Sequence, residues 1–242
     1  MKKILLLLTI TTAIFIIYIT TRDQKVYYLA LGDDITTLGI KEGTGFPNYV
    51  NKYLEYYDKS EIFVKEYAEE SYRITDLITD INNNKKTIIA NRENTIKNAL
   101  IKADLVTLSV GMNDLTSKIN SQTLTDKANY QNLYDSADEI SKDLEELLLL
   151  IKNLCKEDIY LIGLYYPYQI KNQSLNNVFS YLNKRFKEVA AAYQVHYIDI
   201  YDIFSENEVY RSDLTIYPSE KGLEEIGSQV IVTINNASLK NS

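Results

Sequence analysis

Two apolar runs in this chain stop in the same way. Tyr27 to Leu31 ends at Gly32-Asp33-Asp34, and Leu105 to Val110 ends at Gly111-Met112-Asn113-Asp114. A strand that hardly alternates is buried on both faces, which is the habit of strands in parallel sheets. A glycine followed by polar residues at its end is how such a sheet delivers side chains to its carboxyl edge, where open α/β folds place their sites. This repeated pattern constrains the fold more than any other feature.

The rest of the chain supplies the helices the pattern requires. Spacing predicts strands at Val26 to Leu31, Ile62 to Glu66, Leu105 to Val110, Ile159 to Tyr165 and Val195 to Ile200. Helices are predicted at Phe46 to Tyr57, in the second half of Ala68 to Ile81, and at Thr95 to Ala103, Leu133 to Cys155, Leu175 to Tyr193 and Glu220 to Ile234. The polar stretches Ser117 to Asn129 and Arg211 to Ser219 read as loops. Alternating strands and helices imply a three-layer α/β/α fold, a doubly wound parallel sheet of about five strands with a flavodoxin-like winding. At 242 residues, with no internal repeat or second apolar cluster, one domain is expected.

The amino terminus reads differently. Lys2 and Lys3 precede an almost unbroken apolar run from Ile4 to Ile19, closed by Thr20, Thr21, Arg22 and Asp23. The run is shorter than the roughly 20 residues that a full span prefers, and it has the charge-then-apolar order of a targeting segment. Residues 1–22 are read as a signal-anchor or transmembrane segment and residues 23–242 as the domain. No small residues stand where cleavage would occur, which favours a retained single-pass anchor at the cell membrane; secretion after signal cleavage is the alternative. The paired lysines stay in the cytoplasm and place the domain outside it.

Composition excludes some chemistry. A net charge of −7 disfavours nucleic acid as a partner. The single cysteine, Cys155, allows no intrachain disulfide and no cysteine-rich metal cluster, and it is expected as a small buried hydrophobe. No cofactor or metal is implied. The one histidine, His196, lies inside the fifth predicted strand, where a structural role is expected. The acids of the longest helix, among them Asp138, Glu139, Asp143, Glu145 and Glu146, read as a solvated face.

Four short blocks resemble the SGNH, or GDSL-type, hydrolase/esterase family, in family order. Ala30-Leu31-Gly32-Asp33-Asp34-Ile35-Thr36 is similar to the Gly-Asp-Ser block that carries the nucleophilic serine. Ser71-Tyr72-Arg73-Ile74-Thr75-Asp76-Leu77 is similar to the second block, in which a glycine N–H serves the oxyanion. Gly111-Met112-Asn113-Asp114 matches the Gly-x-Asn-Asp block, whose asparagine donates to the oxyanion, and Tyr217-Pro218-Ser219-Glu220-Lys221-Gly222 resembles the closing Asp-x-x-His-Pro block.

The resemblance implies an esterase-type pocket at Asp34, Ser71, Asn113, Tyr217 and Asp213, and the same positions carry the departures. Asp34 stands at the serine, Tyr217 at the histidine, Leu214 at the histidine-orienting aspartate with Asp213 one residue out of register, and Ser71 at the glycine. Acyl transfer needs a neutral nucleophile, a base and a group that holds the base, and none is matched. Ser109, Ser212 and Ser219 lie near the same edge without a nucleophile-bearing turn.

The expected function is therefore that of a pseudo-hydrolase binding an acylated or glycan component of the cell envelope. Three alternatives stand beside it. One is an active ester hydrolase. Another is a carboxylate-based hydrolase in which Asp34 is a nucleophile or pairs with Asp213. The third is a surface for another membrane protein in which the cleft has no part.

Overall fold

The computed structural model describes residues 25–125 and 130–240 of the chain. The anchor expected over residues 1–22 lies outside the described residues, as does the 126–129 part of the stretch expected as a loop. Among the described residues no helix is long and apolar enough to cross a membrane.

Five parallel strands form the central sheet: β1 Val26–Gly32, β2 Ser60–Val64, β5 Leu105–Ser109, β6 Asp158–Ile162 and β7 His196–Ile198, in the order β2-β1-β5-β6-β7. Counting only these strands, the winding is 2-1-3-4-5, the flavodoxin-like order expected. Helices α2 Phe46–Tyr56 and α10 Glu220–Lys240 pack together on one face. The other carries α3 Ile74–Asn82, α4 Ile96–Lys102, α7 Gln131–Leu154 and α8 Gln173–Ala192. This is the three-layer architecture read from the sequence.

The two glycine-ended strands are neighbours. β1 pairs with β5 from Tyr28 opposite Leu105 to Gly32 opposite Ser109, so their polar tails emerge side by side. The chain leaves β1 for β2 on one side and returns to β5 on the other, which opens a crevice at their carboxyl ends. Apolar burial holds this centre: Leu29, Ala30, Leu31, Val106 and Leu108 are all at 0% exposure. The buried Tyr28 spends its hydroxyl on Thr107 Oγ1 at 2.8 Å, as a polar atom in an apolar core must.

Some elements differ from the sequence reading, each for a local reason. An antiparallel hairpin, β3 Lys86–Ile89 with β4 Arg92–Thr95, precedes α4. Its turn residues Ala90 and Asn91 have φ of 48° and 62°, the left-handed pair of a primed turn without the glycine that would announce it. Helix α6 Ser121–Thr125 interrupts the stretch expected as a loop. There Asn120 Oδ1 accepts from the Gln122 and Thr123 amides at 2.9 and 3.1 Å, and Thr123 Oγ1 accepts from the Asn120 amide at 2.8 Å.

The fourth strand ends at Ile162 instead of Tyr165. Gly163 still donates to Ile198 O, but the next amide, Leu164, turns to the buried Asn183 side chain at 2.9 Å. The fifth strand shortens to His196–Ile198 because helix α9, Tyr201–Glu206, starts just after it. Cys155 is buried as expected, with Sγ 3.7 Å from Ala103 O. His196 stacks on Tyr160 with ring centroids 4.7 Å apart and lies 3.3 Å from Asp158, in a structural setting.

Candidate active site

The first loop of the site is built by Gly32. Its φ is +136°, and a Cβ there would stand 2.1 Å from Ser109 O, so only glycine lets β1 close on β5 at this point. Asp33 follows as the N-cap of the short helix α1 Asp34–Thr37, its Oδ1 accepting from the Ile35 amide at 3.1 Å. The two adjacent aspartates thereby part company. Asp33 turns into the protein and is fully buried, whereas Asp34 is half-buried at the crevice.

The second loop brings Asn113. Gly111, at φ +99°, starts helix α5 Met112–Thr116, and a Cβ there would press on the Phe186 ring at 2.6 Å. Asn113 sits in the first turn of that helix. Its neighbour Asp114 is buried and accepts the Ile74 amide on both oxygens, at 3.2 and 3.3 Å. This ties the start of α3, and with it the segment carrying Ser71 and Tyr72, to the Asn113 loop. Loss of water around Asp114 raises its pKa to about 6 despite those bonds.

What these loops do together is specific. Asp34 Oδ2 accepts from the Ser71 amide at 2.8 Å and from Asn113 Nδ2 at 2.6 Å. The second Asn113 Nδ2 hydrogen goes to Tyr72 O at 3.0 Å. The two donors that the SGNH resemblance assigns to an oxyanion are thus consumed, by a carboxylate oxygen of the chain itself. Short bonds from N–H groups to an ionised acceptor are the strong kind. Ser71 has φ +63°, the left-handed conformation that favours glycine, so the serine retains a backbone shape suited to the residue it replaces.

Tyr217, from the loop before α10, completes the wall. Its hydroxyl lies 3.5 Å from Asn113 Oδ1. Burial, and then the negative charge of Asp34, push that hydroxyl well above the usual tyrosine range, so it stays protonated and donates. A group of this kind cannot accept a nucleophile's proton near neutrality, which is the task of a general base. The cleft, about 410 Å³, is lined by Ser71, Arg73, Asn113, Tyr168, Ile216 and Tyr217 among others.

Asp213 does not join them. It is exposed, bonds to neither Asp34 nor Tyr217 among the described residues, and is followed by Leu214, whose exposure is 94%. The three serines near the edge are likewise in structural use. Ser109 is buried, Ser212 Oγ accepts from the Leu214 amide, and Ser219 Oγ bonds Val209 O and the Gly222 amide. No group of three His, Cys, Asp or Glu among the described residues could hold a metal ion.

Behind the cleft runs a buried polar chain that sequence reasoning missed. Thr36 Oγ1 is 3.0 Å from Leu31 O and 2.6 Å from Ser109 Oγ, and Ser109 Oγ is 2.8 Å from Asp33 Oδ1. Ser109 Oγ donates to Asp33 Oδ1, but desolvation outweighs the pull of that bond and of the Ile35 amide and raises the Asp33 carboxyl to about 8. The sequence signal for it was Thr36, four residues beyond Gly32, opposite a strand that ends in serine.

The match to known proteins follows this geometry. The family model for the GDSL-like lipase/acylhydrolase family covers residues 30–224. The chain belongs to that family. Solved structures of similar fold include the lipase Lip_vut3 from a goat rumen metagenome, at 20% identity and a TM-score of 0.68, covering 85% of this chain and 95% of that one. The acetylxylan esterase Axe2 from Geobacillus stearothermophilus is 18% identical with a TM-score of 0.63, over 87% of this chain and 95% of its own. A lipolytic G-D-S-L family protein from Veillonella parvula is 16% identical with a TM-score of 0.58, over 84% and 95%. At these identities the likeness is one of fold. No curated protein matches the sequence.

Proposed function

We propose that this GDSL-family chain is a pseudo-hydrolase: a domain held outside the cytoplasm by its amino-terminal segment, which binds an envelope ligand in the degenerate pocket without cleaving an ester. One observation carries the reading. Asp34 Oδ2 takes the Ser71 amide and Asn113 Nδ2 at 2.8 and 2.6 Å, so the donors that would stabilise a tetrahedral oxyanion are already satisfied by a fixed negative charge. A substrate carbonyl would have to displace that carboxylate from both. Tyr217, held as a phenol, offers no base. Two of the fold neighbours are by name a lipase and an acetylxylan esterase, and an acylated or glycan ligand suits a pocket inherited from such enzymes.

An esterase panel on the full chain beside the double variant Asp34→Ser/Tyr217→His tests the proposal. The expected result is no turnover by the natural chain and gain of turnover in the variant. Ester cleavage by the natural chain that disappears in Asp34→Ala would overturn it, and would favour the competing reading of an unconventional carboxylate-based hydrolase. Resistance of the membrane-bound chain to alkaline extraction, with the domain open to protease from outside the cell, is the expected outcome for the anchor.

A further inference from the structure

A second cavity, about 310 Å³, adjoins the cleft, and Tyr168 lines both. Its position is fixed by the segment between β6 and α8 on one side and by Arg211 and Glu208 on the other. The Arg211 side chain is nine-tenths buried, at 10% exposure. Its Nη1 donates to Tyr168 O at 3.3 Å; among the described residues its Nε has no partner and its one ionic neighbour is a Glu208 oxygen 3.7 Å from Nη2. Glu208 is 73% exposed and loosely held. Buried cations are normally paired at close range, so Arg211 is a positive charge set into the wall and incompletely neutralised.

The other lining groups point to the same kind of ligand. Lys171 is exposed and bonds to nothing among the described residues. Among the described residues, Asn176 Oδ1 accepts from Tyr201, which leaves its amide hydrogens, and Gln169 bonds only weakly through Nε2 at 3.4 Å, which leaves its carbonyl. The Tyr168 hydroxyl makes no hydrogen bond among the described residues, and burial raises its pKa to about 12, so it is a neutral donor beside a flat ring. Two cations against one acid in a chain of net charge −7 select an anion. Amide and phenol groups with a ring face select hydroxyls and a C–H surface. The volume lies at the lower end of small-ligand pockets, about 300–1,000 Å³.

We propose that this cavity is a subsite for an anionic sugar unit, whose acidic group sits by Arg211 and Lys171 in competition with Glu208 and whose hydroxyls meet Asn176, Gln169 and Tyr168. The proposal rests on the reading of the cleft as a glycan-binding pocket. It extends that reading by naming the ligand's charge and where the charge is held.

Calorimetric titration of the full chain in detergent micelles provides the test, with a uronic-acid oligosaccharide, a neutral oligosaccharide of equal length, a hexose phosphate and inorganic phosphate as probes. The uronide is expected to bind at least about tenfold more tightly than the neutral sugar, since close charge–charge contacts are worth more than about 1.4 kcal/mol, or tenfold. Glu208→Gln should tighten it several-fold and Lys171→Ala weaken it by a similar factor. Both side chains are exposed, so neither variant endangers the fold.

A hexose phosphate that binds as well as the uronide supports the anionic-sugar site and assigns phosphate as the acidic group. Equal binding of acidic and neutral sugars, binding of inorganic phosphate as tight as either sugar, no binding, or indifference to both substitutions overturns the proposal. Ester turnover measured in the same preparation reports separately on the pseudo-hydrolase reading. Turnover with intact uronide affinity would defeat that reading and leave the subsite standing.

Discussion

Replacing Asp33 by asparagine should change how stability depends on pH. The native Asp33 carboxyl is raised to about 8 by full burial, whereas in the unfolded chain an aspartate titrates near pH ~4. Between these values the folded protein holds one proton more than the unfolded one, and stability falls as pH rises, by about 1.4 kcal/mol per unit. Below pH ~4 both states are protonated, and above about 8 both are ionised, so this group contributes no slope at either end.

Summed over the window, the loss is on the order of 5 kcal/mol at most. Asparagine fills the same space, caps Ile35 and never ionises, so the Asp33→Asn variant loses this slope. For a domain of this size about 1 kcal/mol corresponds to roughly 2–4 °C in Tm. Melting followed by circular dichroism at unit pH intervals from 5 to 9 should therefore show the variant gaining on the natural protein by about 3–6 °C per unit up to pH ~8. Asp114, raised to about 6, has the same sign in both proteins and cancels in the difference. Parallel Tm curves for the two proteins would refute the claim that Asp33 is buried as the acid.

Ser71→Gly should stabilise the domain by about 1 kcal/mol, because a non-glycine residue at positive φ is strained; a fall in Tm would contradict this. Gly32→Ala should destabilise by about 3 kcal/mol or more, since its Cβ would meet the Ser109 carbonyl at 2.1 Å, and denaturant midpoints measure the loss. In Asp34→Ala the Ser71 amide loses its acceptor and should exchange with deuterium severalfold faster; unchanged protection would mean that Asp34 does not fill the anion position.

Legibility of the fold followed the strength of the local pattern. Central strands and long helices were readable to within a few residues, except that the last helix runs past Ile234 to Lys240, because continuous apolar runs and helical spacing of large side chains admit few alternatives. The hairpin at Lys86 to Thr95 and the helix at Ser121–Thr125 were not, since Ala90-Asn91 adopts a primed turn without glycine and the helix is set by Asn120 and Thr123 capping. Site residues Asp34, Ser71, Asn113 and Tyr217 were legible from four short blocks, and the structure gathers them. Asp213, one residue out of register in the same motif, stays in solvent.

Sequence alone determined that Gly32 and Gly111 would end strands at one edge and that serine and histidine were absent from their positions, since these are matters of residue identity and period. Only the tertiary structure decided what the substitutes do. The parallel pairing of β1 with β5 brings Asp34 to Asn113 and Ser71 and sends the adjacent Asp33 into the core, so one carboxylate fills the anion position while its neighbour is held as a buried acid. The physical reason is that charge state and hydrogen-bond partner depend on which groups share a desolvated space, and residues 37 to 79 positions apart come to share it only when the sheet is assembled.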